Sequence, residues 1–238
     1  MRKRLLTILL TLLAICPTLY GQQLDTLALR IKGSLCDESA HRIMICVLAI
    51  EGVDDIWFDL EKNVATVSYN PAKTTPEAIM EPIKGNRFTL CLYRRDEVIL
   101  RDDVQQLELN CADDVQRALS ALRQRVGIDS LSVNPTGGYL SIRYDANKTC
   151  KAQIRQWLIA AGFTPSNYYA SPQVSFARFQ IPALMANEDT MQKALALHGV
   201  EDACVNPDNN TLAITYNSNQ SSRMELKAQL EGFGMEVK

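Results

Sequence analysis

The residues of this chain best suited to chemistry are its thiols. Cys36 stands just ahead of a stretch, Ala40 to Ile50, that carries Ile43, Val47 and Ile50 at helical spacing. A thiol at a helix N-terminus has a lowered pKa and can act as a metal ligand or a redox group. Its neighbours Asp37 and Glu38 oppose this, because they raise the cost of a thiolate. The competing roles for Cys36 are a remnant thiol or one half of a disulfide, for instance with Cys91. Cys46, three residues after Ile43, reads as a small core residue. His41 reads as a helix-surface residue, His198 as a helix C-terminal one, and Met44 as core. Zinc-spaced Cys/His pairs, glycine loops that cradle phosphate, HExxH and GxSxG are all missing from the sequence. Asp54–Asp55 and Asp102–Asp103 fall where turns or linkers are expected. The sequence therefore points away from an enzyme.

The elements that must position these thiols follow from an internal repeat. A glycine is followed seventeen residues later by a tyrosine three times: Gly52 to Tyr69, Gly127 to Tyr144 and Gly199 to Tyr216. Each glycine precedes a β-branched residue (Val53, Ile128, Val200) and then an acid (Asp54, Asp129, Glu201). Such a frame divides the chain into copies of one unit. In the first copy Leu27, Leu29 and Ile31 alternate as a strand, and the helix Ala40 to Ile50 follows. Ile56 and Phe58, then Ala65 to Tyr69, form two more strands around a turn. Pro76 opens a second helix that frays at Pro82, and Phe88 to Tyr93 ends the unit. The second copy starts its strand at Leu107 and Leu109, has helices over Val115–Val126 and Cys150–Ala161, and turns at Pro135–Gly138. The third runs from Phe179 to a short last strand at Met235 and Val237.

The expectation is an α+β protein of three tandem ferredoxin-like βαββαβ modules, each an antiparallel four-stranded sheet with two helices on one face. The boundaries read as 22–96, 102–170 and 173–238, with linkers at Arg94–Asp103 and Ala170–Ser175. Trp57, Ser132 and Cys204 should point to the open sheet faces, free for solvent or for a neighbouring module. Residues 1–21 have the layout of a signal peptide: Arg2, Lys3 and Arg4, an apolar run from Leu5 to Ile15, then Gly21. The competing readings are an uncleaved anchor and a lipoprotein processed at Cys16, where Ile15 is too bulky. The expected protein is exported, periplasmic or secreted, and its mature chain does not span a membrane. Six cysteines would remain, an even number that permits disulfides. A net charge of −2 and no basic stripe past the N-terminus exclude nucleic acid as a partner.

Gly33–Ser34–Leu35–Cys36, Gly52–Val53 and Ala65–Thr66–Val67–Ser68–Tyr69–Asn70–Pro71 together resemble the heavy-metal-associated domain family. In that family a Gly-Met-x-Cys-x-x-Cys loop follows the first strand, and a Gly-Val lies sixteen residues past its first cysteine. The resemblance implies a soft-metal site of the Cu/Zn/Hg class with Cys36 as a ligand. The ion would be Cu(I) or Zn(II), since paired thiolates suit soft ions. It also implies that Lys84, Asn86 and Arg87 lie beside Cys36. Here Ser39 stands in the slot of the second cysteine and Ser34 in that of the methionine. Cys111, sixteen residues before Gly127, is the matching candidate in copy two, with Asp114 in its second slot. Aligning the helices instead moves Cys111 to the second slot. Copy three offers Ala183 or Leu184, then Ala186 or Asn187, and no thiol. Two functions follow: a metal-handling protein that works through a reduced, single-cysteine site, or a metal-free protein-interaction module that keeps the scaffold.

Overall fold

The computed structural model describes residues 23–33, 35–85 and 88–238. The expected signal peptide over residues 1–21, with Cys16, and Ser34, Asn86 and Arg87 lie outside the described residues. The chain divides into two compact units, Met1–Arg94 and Arg95–Lys238. Among the described residues no helix is long and apolar enough to cross a membrane.

The first unit is module 1: β1 (Asp25–Lys32), α1 (Asp37–Leu48), β2 (Val53–Asp59), β3 (Val64–Tyr69), α2 (Pro76–Gly85) and β4 (Thr89–Leu92). Its strands pair antiparallel in the order β2-β3-β1-β4. Alternation sends Leu27, Leu29 and Ile31 inward, where they meet Ile43 and Val47 of α1 and Ile79 and Ile83 of α2. Fully buried, Ile79 and Ile83 hold α2 through Pro82 to Gly85, beyond the expected fraying point. Cys46 is exposed, not core. The inward stripe of α1 is Ser39, Ala40, Ile43 and Val47, and Cys46 falls off its edge.

The second unit holds modules 2 and 3. Module 2 consists of β5 (Leu100–Gln106), α3 (Ala112–Leu122), β6 (Ile128–Asn134), β7 (Tyr139–Asp145), α4 (Lys151–Ala160) and β8 (Ser166–Asn167), with sheet order β6-β7-β5-β8. Its first strand ends just before Leu107 and begins inside the stretch expected to be a linker, Arg94–Asp103. The alternation was masked because the inward positions Asp103 and Gln105 are polar, yet both are buried. They are satisfied from α4: Lys151 Nζ lies 3.2 Å from Asp103, and Arg155 Nε donates to Gln105 Oε1 at 3.1 Å. Likewise α3 stops at Leu122, and Val126 is exposed in the turn that leads to Gly127. Module 3 has β9 (Val174–Gln180), a 3₁₀ turn at Ala183–Met185, α5 (Glu188–Leu195), β10 (Val200–Asn206), β11 (Thr211–Asn217) and α6 (Arg223–Gly232). Its sheet has three strands, β10-β11-β9. The expected last strand is an extended segment instead: Met235 and Val237 are buried, and Lys238 exchanges two backbone hydrogen bonds with Gln180.

The repeat has a physical cause. Gly52, Gly127 and Gly199 take φ of +94°, +92° and +78°, a region that favours glycine. Each carbonyl accepts the N–H of the residue after the frame tyrosine, at 2.7 Å in all three copies. The pairing register then shifts at the same step in each: Val53/Asp55, Ile128/Ser130 and Val200/Asp202. The acid of the motif is thus the extra residue of a β-bulge. A methyl on Gly127 would lie 2.9 Å from Lys148 Cβ, while one on Gly85 meets nothing within 4 Å. Gly127→Ala is therefore expected to cost ~2 kcal/mol or more in urea unfolding, and Gly85→Ala less than ~0.5 kcal/mol.

Module 2 docks on the open sheet face of module 3. Asp202, Cys204 and Asn206 of β10 share that face with Thr211, Ala213 and Thr215 of β11, and all six are buried. Arg155 of α4 forms a forked pair with Asp202, with Nη1 to Oδ1 at 3.3 Å. The Asn167 N–H donates to the same carboxylate at 2.7 Å. Ser166 Oγ meets Thr215 Oγ1 at 2.8 Å, and Asn206 Nδ2 donates to the Phe163 carbonyl at 2.6 Å. Burial pushes the Cys204 thiol up to about 11. The faces of Trp57 and Ser132, in contrast, leave those residues exposed.

Candidate functional site

Cys36 is the N-cap of α1, in extended conformation (φ −116°, ψ 167°), and its side chain is exposed. Ser39 organises the turn. Its Oγ accepts the Cys36 N–H at 3.0 Å, donates to the Cys36 carbonyl at 2.9 Å and lies 3.4 Å from Sγ. On ionisation the hydroxyl can turn its proton from the carbonyl to the sulfur. That contact is the main reason the thiol sits below the ordinary thiol value, followed by the Ser39 N–H. The charge of Glu38 opposes ionisation, as the sequence suggested, but it is the smallest of the causes. Lys84 is engaged with Glu81 at 3.4 Å. The residue that tunes the thiol is thus Ser39, which sequence reading had treated only as a lost ligand.

Alkylation should report this directly. The pH midpoint of Cys36 modification by iodoacetamide is expected below that of an ordinary thiol, because the thiolate forms at lower pH. Ser39→Ala should move the midpoint up. An unchanged midpoint would show that Ser39 does not tune the sulfur.

Cys111 occupies the same place in module 2. It is the N-cap of α3, exposed, with φ −149° and ψ 171°. Both cysteines cap their helices and both lie sixteen residues before the frame glycine, so the register that puts Cys111 in the first slot holds. Its second slot is Asp114, whose Oδ2 accepts the N–H groups of Asn110 at 2.9 Å and Cys111 at 3.2 Å. Oδ1 accepts from Arg117 at 2.7 Å. Burial works to raise the Asp114 carboxyl, but the Cys111 thiol, the backbone donors and Arg117 bring it below the usual carboxylate range.

In module 3 the loop is rebuilt. The N-cap of α5 is Asn187, which accepts the Thr190 N–H at 3.1 Å. The slots aligned by helix are therefore Asn187 and Thr190, one turn later than the sequence spacing indicated. The 3₁₀ turn fills the lost first turn and leaves Leu184 94 % exposed. Met44 packs against the core, and His41 is exposed. All six described cysteines are free, including Cys91, which leans on the Arg30 carbonyl. Among the described residues no group of three or more His, Cys, Asp or Glu converges. Cys36 offers one soft sulfur donor, and the described residues do not add a closed multidentate cage around it.

Residues 28–86 match the model of the heavy-metal-associated domain. Over a longer stretch the chain is 23 % identical to the copper-transporting ATPase HMA5 of Oryza sativa subsp. japonica, across 209 residues that make up 84 % of this chain and 21 % of that protein. It is 25 % identical to copper-transporting ATPase 2 of Mus musculus across 173 residues, 61 % of this chain and 11 % of that protein. The chain thus spans about a fifth or less of the length of these relatives. Among solved structures, the N-terminal soluble domains of Bacillus subtilis CopA align with a TM-score of 0.29 and 20 % identity, over 63 % of this chain and 98 % of that one.

Proposed function

We propose that this is an exported, non-enzymatic protein that handles a soft metal ion through Cys36, with Cys111 as a weaker second point. Cu(I) is the favoured cargo and Zn(II) the alternative. The observation that carries this reading is the exposed Cys36 thiol, which is lowered by its Ser39 contact at the N-terminus of α1. It lies within the segment that matches the heavy-metal-associated domain model, and the relatives named above are copper-transporting ATPases. One thiolate gives a site that takes up and releases its ion readily, which suits transfer better than storage. Cys111 pairs a soft sulfur with a hard carboxylate already held by Arg117, a combination less suited to Cu(I).

Metal footprinting tests the assignment. Reduced protein with one equivalent of Cu(I) should show Cys36 protected from alkylation, while Cys46, equally open to solvent, reacts freely. Equal labelling of the two would overturn the reading. Export predicts that the mature protein begins at Gln22; an intact N-terminus on the exported protein would contradict this. The second reading, a metal-free interaction scaffold, is favoured by one observation: module 3 has no thiol in its loop and uses its sheet face to bind a neighbouring module.

A further inference from the structure

The turn between β2 and β3 grips the start of the loop that carries Cys36. Asn63 stands eleven residues past Gly52, as Gly138 and Asn210 stand past Gly127 and Gly199. All three take a left-handed backbone, with φ of +54°, +65° and +54°. Each carbonyl accepts an N–H from the end of its module's first strand or the residue after it, at 2.8 Å from Ile31, 2.7 Å from Leu107 and 2.9 Å from Ile181. Module 1 adds a second contact. Asn63 Nδ2 donates to the Gly33 carbonyl at 2.8 Å, across thirty residues of sequence. Asn63 is buried, so this bond is shielded from water. The Gly33 carbonyl lies past the end of β1 at Lys32, and the Asn63 amide supplies the donor that the sheet no longer provides. In module 2 the same position is Gly138, which has no side chain to make that contact.

We propose that Asn63 is the positioning residue of the Cys36 loop: its amide fixes the strand end from which the thiol is presented, and so keeps the thiol ordered for an incoming soft ion. The proposal rests on the metal reading of Cys36 and names what sets module 1 apart from module 2. Three anchors hold the segment: Asn63 on Gly33, the core on Leu35, and Ser39 on Cys36. Ser39 acts from within α1, whereas Asn63 reaches the segment from another turn of the module. A donor that is already ordered loses less freedom when the ion binds, which raises affinity without a further ligand. Cys111 shares the cap and the spacing to its frame glycine but lacks the amide, which makes its loop the looser of the two.

Asn63→Gly tests this, because glycine accepts the left-handed backbone and keeps the carbonyl that receives the Ile31 N–H. In competition with a chelator, Cu(I) affinity is expected to fall roughly threefold to tenfold, the usual contribution of one hydrogen bond. Without metal, the pH midpoint for alkylation of Cys36 should rise, while Cys46 reacts as in the native protein. In a Ser39→Ala background Asn63→Gly should move the midpoint no further, because the contact it preserves is already gone. An equal further shift there would mean a general loosening of the fold and would count against the proposal. Asn63→Asp keeps the size and tolerates the backbone but puts an acceptor where the donor was, so it should act in the same direction. Unchanged affinity and midpoint in both variants would overturn the proposal and leave the metal reading standing. An absence of Cu(I) uptake by the native protein would sink the metal reading, and the alkylation midpoint would still decide whether Asn63 orders the thiol.

Discussion

Ser39→Cys is expected to tighten Cu(I) or Zn(II) binding by on the order of 10²-fold, the largest gain a single substitution in module 1 should produce. A structural zinc site draws ~10–16 kcal/mol from four ligands, so each one contributes roughly 3 kcal/mol, equivalent to about 10²-fold in affinity. The geometry is already in place, because Ser39 Oγ lies 3.4 Å from Cys36 Sγ. Two thiolates in one helix turn would close on an ion with little further ordering. The variant gives up a hydroxyl that serves as acceptor for the Cys36 N–H, at a cost of ~1 kcal/mol in stability. Gain in binding and loss in stability should therefore appear together. Unchanged affinity in a competition titration would mean that position 39 does not face the ion.

The second large effect concerns the joint between modules 2 and 3. Asp202→Ala is expected to destabilise the second unit by about 3 kcal/mol, because it leaves the largely buried Arg155 guanidinium without its counter-charge. The Asn167 N–H loses its acceptor in the same step. Arg155→Met alone should cost a similar amount, since Asp202 would then be the unpaired charge. Replacing both, as Arg155→Met with Asp202→Leu, should cost clearly less than the sum, because neither charge is left behind. Denaturant unfolding of the four proteins measures this coupling. Additive losses would show that the pair does not join the modules.

The fold was legible where local geometry restricts residue type. A left-handed glycine, a bulge two residues later and a buried tyrosine recur because each copy needs all three, and that frame located the second and third strands of every module. Legibility failed where inward positions are polar. Asp103 and Gln105 hid β5 because their partners Lys151 and Arg155 lie some fifty residues away in sequence. The docked face of module 3 was silent for the same reason: Asp202, Asn206, Thr211 and Thr215 make a hydrogen-bonded contact with no apolar signature. At the site, Cys36 and Cys111 were found from their spacing to the frame glycines, and both prove to be N-caps. The role of Ser39 was hidden because a serine in a cysteine's slot reads as a deletion, whereas its hydroxyl both braces the turn and lowers the thiol. Cys46 was misplaced because a three-residue step from Ile43 does not fix which edge of a helical stripe a residue occupies.

The central claim is that one thiol carries the metal. Titration of the reduced protein with Cu(I) against a competing chelator, run in parallel on Cys36→Ser, tests it most directly. The native protein should take up one ion per chain, and Cys36→Ser should lose that uptake. Equal uptake by the two proteins, or none by either above a chelator-only control, would contradict it.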